Sequence, residues 1–326
     1  MISHCRPLVS YVLPAFNEEA VVEPHLDELY RYAKRLTAYP FEMIVVDDGS
    51  SDRTGPLADA FAARYPNVTV LHHLANRGLC GALQTGIAHA RGDLILTLDL
   101  DLSYAPYHVG LMLRALEQTN AAMVLASPYM RGGQVRNVPW LRRELSLWAN
   151  RYLSIAAGGA VATSTCMVRG YNAAALRKLA LEPADADYNH KTLFAALRRG
   201  MPIREIPARL EWRTSPDLAV PRRSSLKLFS HAWDVVMSGM RHRPSMWLAI
   251  PGLVPGLLPL VGAILVALRS PARVAAETTA AVLVIQVASM GFAALLAGRS
   301  LHRLRAPSRR RSSLPDTRTE SRAQSS

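Results

Sequence analysis

Residues 94–106, LILTLDLDLSYAP, form the stretch that decides the fold. The apolar run that begins at Leu94 is typical of a buried strand, and it stops at Asp99, Leu100 and Asp101. Alternation along an extended chain points both aspartates to one side, where their like charges repel unless a cation lies between them. Mg2+ or Mn2+ would suit such a pair, although acidic residues after a strand are also common turn formers and helix caps.

Strands and helices alternate through the first third of the chain. We predict strands at 8–14, 41–46, 68–72 and from 94 onward, with helices at 18–36 and 79–90. This order indicates an α/β fold with a mostly parallel, doubly wound sheet, in which ligands gather at the carboxyl ends of the strands. The acidic residues expected at that edge are Glu18, Asp47, Asp48, Asp99 and Asp101. A divalent metal would explain so many carboxylates in a site for anionic phosphates.

The turn after the first strand argues against one common nucleotide site. Ala15, Phe16 and Asn17 join this strand to the next helix, and the glycine pattern G-x-G-x-x-G is absent there. A dinucleotide site of the Rossmann type needs such glycines for the close approach of the pyrophosphate. The segment DDGSSD at 47–52 is compatible both with hydrogen bonds to a base or ribose and with ordinary turn and cap chemistry.

Clusters of arginine flank two apolar runs near the end of the chain. Of the 326 residues, half are hydrophobic, and the formal net charge is +13. The runs 246–268 and 278–298 contain no charged side chain and are each long enough to cross a bilayer. Arginines flank the two runs on both outer sides, which is a positive-inside pattern. This positive charge is therefore expected to face a membrane surface and not a nucleic acid. A buried hairpin of soluble helices is the alternative.

These features predict four regions. They are an α/β domain at 1–222, an interfacial amphipathic segment at 223–245, two transmembrane helices at 246–298 and a basic disordered tail at 299–326. The N-terminus has no signal-peptide pattern, and three scattered cysteines suit a reducing compartment. We therefore expect a cell-membrane protein with two spans and a cytoplasmic first domain.

Three motifs, in this order and spacing, resemble the family 2 glycosyltransferases with the GT-A fold. They are YVLPAFNEE at 11–19, IVVDDGSSDRT at 44–54 and NRGLCGALQTGIAHARGDLILTLDLDLSYAP at 76–106. The resemblance covers about residues 8–235 and is greatest to the dolichyl or polyprenyl phosphate mannosyltransferases and glucosyltransferases. It implies that the domain at 1–222 is a GT-A glycosyltransferase domain.

The resemblance implies a role for each matching position. Donor binding would involve Pro14, Phe16, Asn17, Glu18, Val46, Asp47, Asp48, Gly78, Asp99, Leu100, Asp101 and Arg131. Asp99 and Asp101 would hold Mg2+ or Mn2+, with Ser103 as a further polar contact. Catalysis would rest on Asp99, Asp101 and Arg213.

The sequence departs from the family pattern on the phosphate-binding side. Pro128 stands where an arginine is usual, and Arg131 is the nearest substitute. A longer segment, SPDLAVPRRSSLKL at 215–228, replaces the usual Gly-x-Ser-Lys after Arg213. Where many members have a carboxylate the chain has Lys191, with Asp185 and Asp187 nearby. The cations that we expect to bind an acceptor phosphate are Arg142, Arg213, Arg222, Arg223 and Lys227.

The resulting expectation is an inverting transfer of a hexose, mannose or glucose, from GDP-mannose or a UDP-hexose to a polyprenyl or dolichyl phosphate. Arg142 belongs to an amphipathic helix at 140–157, which either covers the soluble core or lies on the bilayer face. One rival is transfer to a hydroxyl, with Asp185 or Asp187 as general base, although the Gln-x-x-Arg-Trp stretch of processive synthases is absent. Another rival is a catalytically silent membrane protein that binds nucleotide sugar or lipid.

Overall fold

The computed structural model describes residues 6–36, 39–179, 188–212, 235 and 237–240. The strands are β1 (Val9–Ala15), β2 (Phe41–Asp47), β3 (Val68–His72), β4 (Leu94–Thr97), β5 (Met123–Ser127), β6 (Gln134–Arg136), β7 (Arg169–Asn172), β8 (Ile203–Pro207) and β9 (Arg209–Glu211). The helices are α1 (Val22–Arg35), α2 (Thr54–Ala62), α3 (Gly78–His89), α4 (Tyr107–Thr119), α5 (Trp140–Ala156), α6 (Ala173–Arg177) and α7 (Tyr188–Arg198).

Seven strands form one sheet in the order β3-β2-β1-β4-β7-β5-β8. All of the pairings are parallel except those of β7, which runs antiparallel to both β4 and β5. β6 and β9 pair separately. The expected α/β fold with a mostly parallel sheet is therefore confirmed, and β1 lies between β2 and β4. Consequently the loops that follow these three strands leave the sheet side by side.

Helices cover both faces of the sheet because its central strands are buried on both sides. Tyr11 and Leu13 of β1 pack into one apolar cluster with Leu26 of α1. Val12, between them in sequence, points to the opposite face and belongs to a second cluster with Leu83 of α3. This period-two alternation, with apolar residues in both directions, is the pattern of a strand inside a doubly wound sheet.

Two differences from the predicted boundaries affect the edge where the loops gather. The first helix begins at Val22 and not at 18, because Glu18 is held in a loop by a 2.7 Å hydrogen bond from its backbone N–H to Thr54 Oγ1. The strand at 94 ends at Thr97, two residues before Asp99. Strand alternation therefore does not orient Asp99 and Asp101.

Glu42 anchors the opposite, amino-terminal end of the sheet. Its carboxylate is buried and accepts hydrogen bonds from Ser10 Oγ at 2.6 Å and from the Arg91 backbone N–H at 2.7 Å. Arg91 also donates two side-chain hydrogen bonds to Oε2 of Glu42. Burial raises the pKa of Glu42, but the hydrogen bonds from Ser10 and Arg91 outweigh it and bring this pKa below its ordinary value of 4.5.

Replacing Glu42 by Gln should lower the free energy of unfolding by about 1–2 kcal/mol at neutral pH, because an amide places an N–H beside the Arg91 donors. Urea unfolding followed by tryptophan fluorescence measures this. Since the folded pKa lies below 4.5, the contribution of Glu42 is complete above that pH and is lost as the pH falls through the folded value. Glu23→Gln, in an exposed pair with Arg64, is the control and should change stability by less than about 0.5 kcal/mol. Equal stabilities of Glu42→Gln and the wild type would contradict the argument.

Several predicted features lie outside the described residues. They are Asp185, Asp187, Arg213, Arg222, Arg223, Lys227, the two apolar runs within 246–298 and the tail at 299–326. Of the segment 223–245, residues 235 and 237–240 are described, and they are helical. No helix in the described part of the chain is long and apolar enough to cross a membrane.

Candidate active site

A cleft of about 270 Å³ opens at the carboxyl ends of β1, β2 and β4, beside the N-terminus of α3. Its lining residues are Pro14, Ala15, Phe16, Glu18, Asp48, Asn76, Gly78, Leu79, Ala82, Asp99, Leu100, Asp101 and Met167. Four of the five acidic residues expected at this edge therefore line one cleft, and Asp47 is the exception. Eight of the twelve predicted donor residues are in the lining.

The loop after β1 is tied to the loop after β2 by Asn17. The backbone N–H of Asn17 donates to Ser50 Oγ at 3.0 Å, and its side-chain Oδ1 accepts from the Ser51 N–H at 2.8 Å. Asn17 also has a positive φ of 53°, which asparagine adopts more readily than most residues. These contacts fix Phe16 and Glu18 on either side of it at the cleft, whereas Asn17 itself is not in the lining.

The two aspartates at the end of β2 have different surroundings. Asp47, the last residue of the strand, accepts from the Ser50 N–H at 3.0 Å and contacts His72 Nδ1 at 3.1 Å. Burial raises the pKa of Asp47, but hydrogen bonds from Ser50 and His72 lower it by a larger amount. The pKa of Asp47 therefore lies below its ordinary value. Asp48 points the other way and lines the cleft. Val46 is fully buried in the sheet and is not in the lining.

A turn, and not an extended strand, brings Asp99 and Asp101 to the cleft. The N–H of Leu102 donates to the Asp99 carbonyl at 3.2 Å, and the N–H of Ser103 donates to Asp101 Oδ1 at 2.9 Å. Leu102 has a φ of 49°, a left-handed conformation that an L-residue adopts only at a cost. His25 Nδ1 lies 3.0 Å from the Leu100 carbonyl, which can only accept, so the nitrogen is the donor. These contacts hold the aspartate pair from both sides.

The oxygen ligands of the cleft suit a hard divalent ion. The pKa of Tyr104 is raised, mainly by burial. The nearby negative charges of Asp99 and Asp101 are among the interactions that raise it further. Among the described residues, no group of three or more His, Cys, Asp and Glu side chains is arranged to hold a metal ion. The pair thus supplies two carboxylates, a set that fits Mg2+ or Mn2+ when substrate phosphates and water complete the coordination. Ser103 is buried next to them but is not in the cleft lining.

The two described arginines among the predicted ligands lie outside this cleft. Arg131 is exposed in the loop between β5 and β6. Arg142 is on α5, where its guanidinium carbon lies 5.0 Å from the centre of the Trp212 ring. Trp212 is the last described residue before Arg213 in the sequence, and Arg213 lies outside the described residues.

Sequence reasoning missed several residues of the site. Met167 lies outside the three quoted motifs, and Ala82, although within the third motif, was not among the predicted donor residues. Asn76 precedes Arg77, the N-cap of α3, and its Oδ1 accepts from the Gly78 N–H at 3.1 Å, an Asx-turn contact that is common where a loop enters a helix. His73 was also missed; it contacts Asp48 behind the cleft, with 2.6 Å between Nδ1 and Oδ1.

Known proteins resemble the chain in sequence and in fold. The polyprenol monophosphomannose synthase of Mycolicibacterium smegmatis is 29% identical over 239 residues, covering 71% of this chain and 87% of that protein. A dolichyl-phosphate beta-glucosyltransferase of Trichomonas vaginalis is 27% identical over 249 residues, covering 73% of this chain and 72% of that protein. In fold, the chain is similar to a mannosyltransferase of Pyrobaculum calidifontis in complex with GDP-Man and Mn2+, with a TM-score of 0.55 and 19% identity over 92% of this chain and 86% of that one.

The description of the matching family is "Glycosyl transferase family 2", and the match extends over residues 10–180. This segment is more than half of the 326-residue chain and includes every residue that lines the cleft. The likeness in fold agrees with the expected GT-A architecture. On these grounds, the chain belongs to the family 2 glycosyltransferases.

Proposed function

We propose that this glycosyltransferase moves a hexose, mannose or glucose, from a nucleotide diphosphate sugar to a polyprenyl or dolichyl phosphate at the cytoplasmic membrane face. The observation that carries the proposal is the cleft in which Glu18, Asp48, Asp99 and Asp101 meet at the carboxyl ends of parallel strands. The names of the two sequence relatives, a polyprenol monophosphomannose synthase and a dolichyl-phosphate glucosyltransferase, support the class of acceptor.

On the donor side, each end of the cleft suits a different part of a nucleotide sugar. Asp48 can accept a hydrogen bond from the base or the ribose. Gly78 and Leu79 at the N-terminus of α3 line the cleft, and the positive end of a helix dipole is a favourable setting for a diphosphate. Asp99 and Asp101 would hold Mg2+ or Mn2+, which when bound supplies Lewis-acid stabilisation of the diphosphate leaving group. The donor is GDP-mannose or a UDP-hexose.

On the acceptor side, the chemistry requires placement more than proton removal. A phosphate monoester is already anionic at neutral pH, so no general base is needed to create the nucleophile. Cations that bind this phosphate, Arg213 above all, would hold it for a single in-line displacement that inverts the sugar carbon. We assign Arg142, Arg222, Arg223 and Lys227 to the same acceptor region, and Arg131 to the donor phosphates.

The exposed face of α5 supports a position against a bilayer. Its large apolar residues with exposed side chains are Trp140, Leu141, Leu145, Trp148 and Ile155. They share the helix with Arg142, Arg143 and Arg151, and this combination is typical of helices that lie in the lipid interface. Together with the apolar runs at 246–268 and 278–298, this face favours a protein with two spans and a cytoplasmic catalytic domain.

The test of the proposed reaction is a transfer assay. Membranes that contain the protein are incubated with polyprenyl phosphate and a panel of labelled GDP- and UDP-sugars, and the lipid is then extracted. We expect label in the lipid fraction with one donor, and a rate of labelling lower by about a hundredfold or more with the Asp101→Asn variant. Label that appears only on a hydroxyl-bearing glycan or lipid, or on nothing, would overturn the proposal.

The proposed topology predicts that both chain ends are cytoplasmic. In a variant with Cys5 and Cys80 replaced by Ser, a cysteine introduced at Ser312 should react with a membrane-impermeant maleimide only after the membrane is opened. A cysteine introduced at Ala275, in the short loop between the two runs, should react in intact cells. Reaction of the Ser312→Cys protein in intact cells would exclude the two-span hairpin.

A further inference from the structure

His73 makes two hydrogen bonds that no motif of the family predicts. It follows the last residue of β3, and 6% of its side chain is exposed. Its Nδ1 lies 2.6 Å from Asp48 Oδ1, and its Nε2 lies 2.9 Å from Thr85 Oγ1 on α3. The side chain thus lies between the end of β2 and the helix whose N-terminus lines the cleft.

The direction of these bonds follows from the chemistry of the groups. A carboxylate can only accept, so Nδ1 carries the proton in the bond to Asp48. A threonine hydroxyl can donate or accept, so Thr85 can bond Nε2 whether or not that nitrogen carries a proton. A single imidazole with its proton on Nδ1 therefore makes both hydrogen bonds.

The two carboxylate oxygens of Asp48 differ in their contacts. Oδ1 accepts both from His73 Nδ1 and from the Arg77 N–H, the latter at 2.9 Å. Neither bond uses Oδ2, although Asp48 lines the cleft and 4% of its side chain is exposed. A carboxylate fixed through one oxygen by two donors has a defined rotamer, and its second oxygen then has a defined direction.

We propose that His73 is a positioning residue for the nucleoside part of the donor, acting through Asp48. The inference rests on the proposed function, in that it takes this cleft as the nucleotide-sugar site. His73 and Thr85 hold the Asp48 carboxylate ready to accept an N–H or O–H of the base or ribose. Without the imidazole, the Asp48 side chain can rotate. Nucleotide binding must then order this side chain, which weakens the affinity.

The experiment measures the affinity of the full-length protein in detergent for UDP and for GDP with Mn2+ by calorimetry. His73→Leu should weaken the preferred nucleotide about fivefold, whereas His73→Asn, whose amide N–H can replace Nδ1–H, should stay within about twofold of the wild type. Thr85→Val should cause a loss of about two- to threefold. Thr69→Val, a change at an exposed position of β3 outside the cleft lining, is the control and should bind like the wild type.

A positioning role also predicts how the effects combine. In an Asp48→Ala background, His73→Leu should cause no more than about a twofold further loss, because its effect passes through the missing carboxylate. In the transfer assay, His73→Leu should raise the donor KM and leave the kcat at saturating donor within about twofold of the wild type. Thermal midpoints monitor folding; if His73→Leu does not fold, His73→Asn and Thr85→Val carry the comparison.

Three results would overturn the role of His73. They are unchanged affinity in His73→Leu, equal losses in His73→Leu and His73→Asn, and an undiminished loss in the Asp48→Ala background. The second result would mean that the imidazole only fills space. A wild-type protein that binds neither nucleotide would instead overturn the proposed donor site, and this outcome is distinct from the other three.

Discussion

Asp101→Asn should lower turnover on the order of a hundredfold or more while the protein remains folded. The amide keeps an Oδ1 that can accept from the Ser103 N–H, so the turn that follows the aspartate pair is preserved. The substitution removes the negative charge of Asp101, one of two neighbouring carboxylates. It thereby removes an oxygen ligand that suits a divalent ion. Initial rates measured over a Mn2+ titration should show a lower kcat that excess metal restores only in part.

The control for this prediction is Asp59→Asn. Asp59 is exposed on α2 and contacts His72, so its change removes one carboxylate of similar chemistry from outside the cleft. Its turnover should stay within about twofold of the wild type. Full activity of the wild-type protein in excess chelator would contradict the metal role, whatever the activity of the two variants.

The arrangement of strands was predictable because burial on both faces leaves a strong signal in the sequence. β3 was predicted at its observed bounds, β1 begins and ends one residue later than predicted, and β2 ends one residue later than predicted. The helix boundary at Val22 was missed because long-range contacts decide it. The hydroxyl of Thr54, more than thirty residues away, holds Glu18 in the loop, and local helix propensity carries no information about that contact.

The composition of the site was predictable in part for a similar reason. Carboxylates that follow adjacent parallel strands must lie near one another, and Glu18, Asp48, Asp99 and Asp101 do. Asp47 was predicted in the same set, but alternation along β2 points it to the face opposite Asp48, where Ser50 and His72 contact it. His73 could not be identified, because its contacts with Asp48 and Thr85 join residues that are distant in the sequence.

Arg213→Ala should lower kcat/KM for the lipid acceptor at least tenfold, about 1.4 kcal/mol, and leave donor binding unchanged. A polyprenyl phosphate has its tail in the bilayer, so cations near the interface must meet its head group. Arg213 directly follows Trp212, whose ring lies 5.0 Å from the Arg142 guanidinium on the helix with the exposed apolar face. Arg142→Ala should therefore change acceptor kinetics in the same direction, by a smaller factor.

The competing explanation is that these cations attract anionic lipid in bulk. That explanation predicts small, similar losses for Arg213→Ala, Arg222→Ala, Arg223→Ala and Lys227→Ala, each restored by a higher fraction of anionic lipid in the vesicles. Specific binding of the acceptor phosphate predicts instead that the loss is concentrated at Arg213 and persists in such vesicles. Arg64→Ala, which removes a cation of the exposed Glu23 pair, is the control for charge alone. Acceptor kinetics that are unchanged in both Arg213→Ala and Arg222→Ala would exclude the assigned acceptor site.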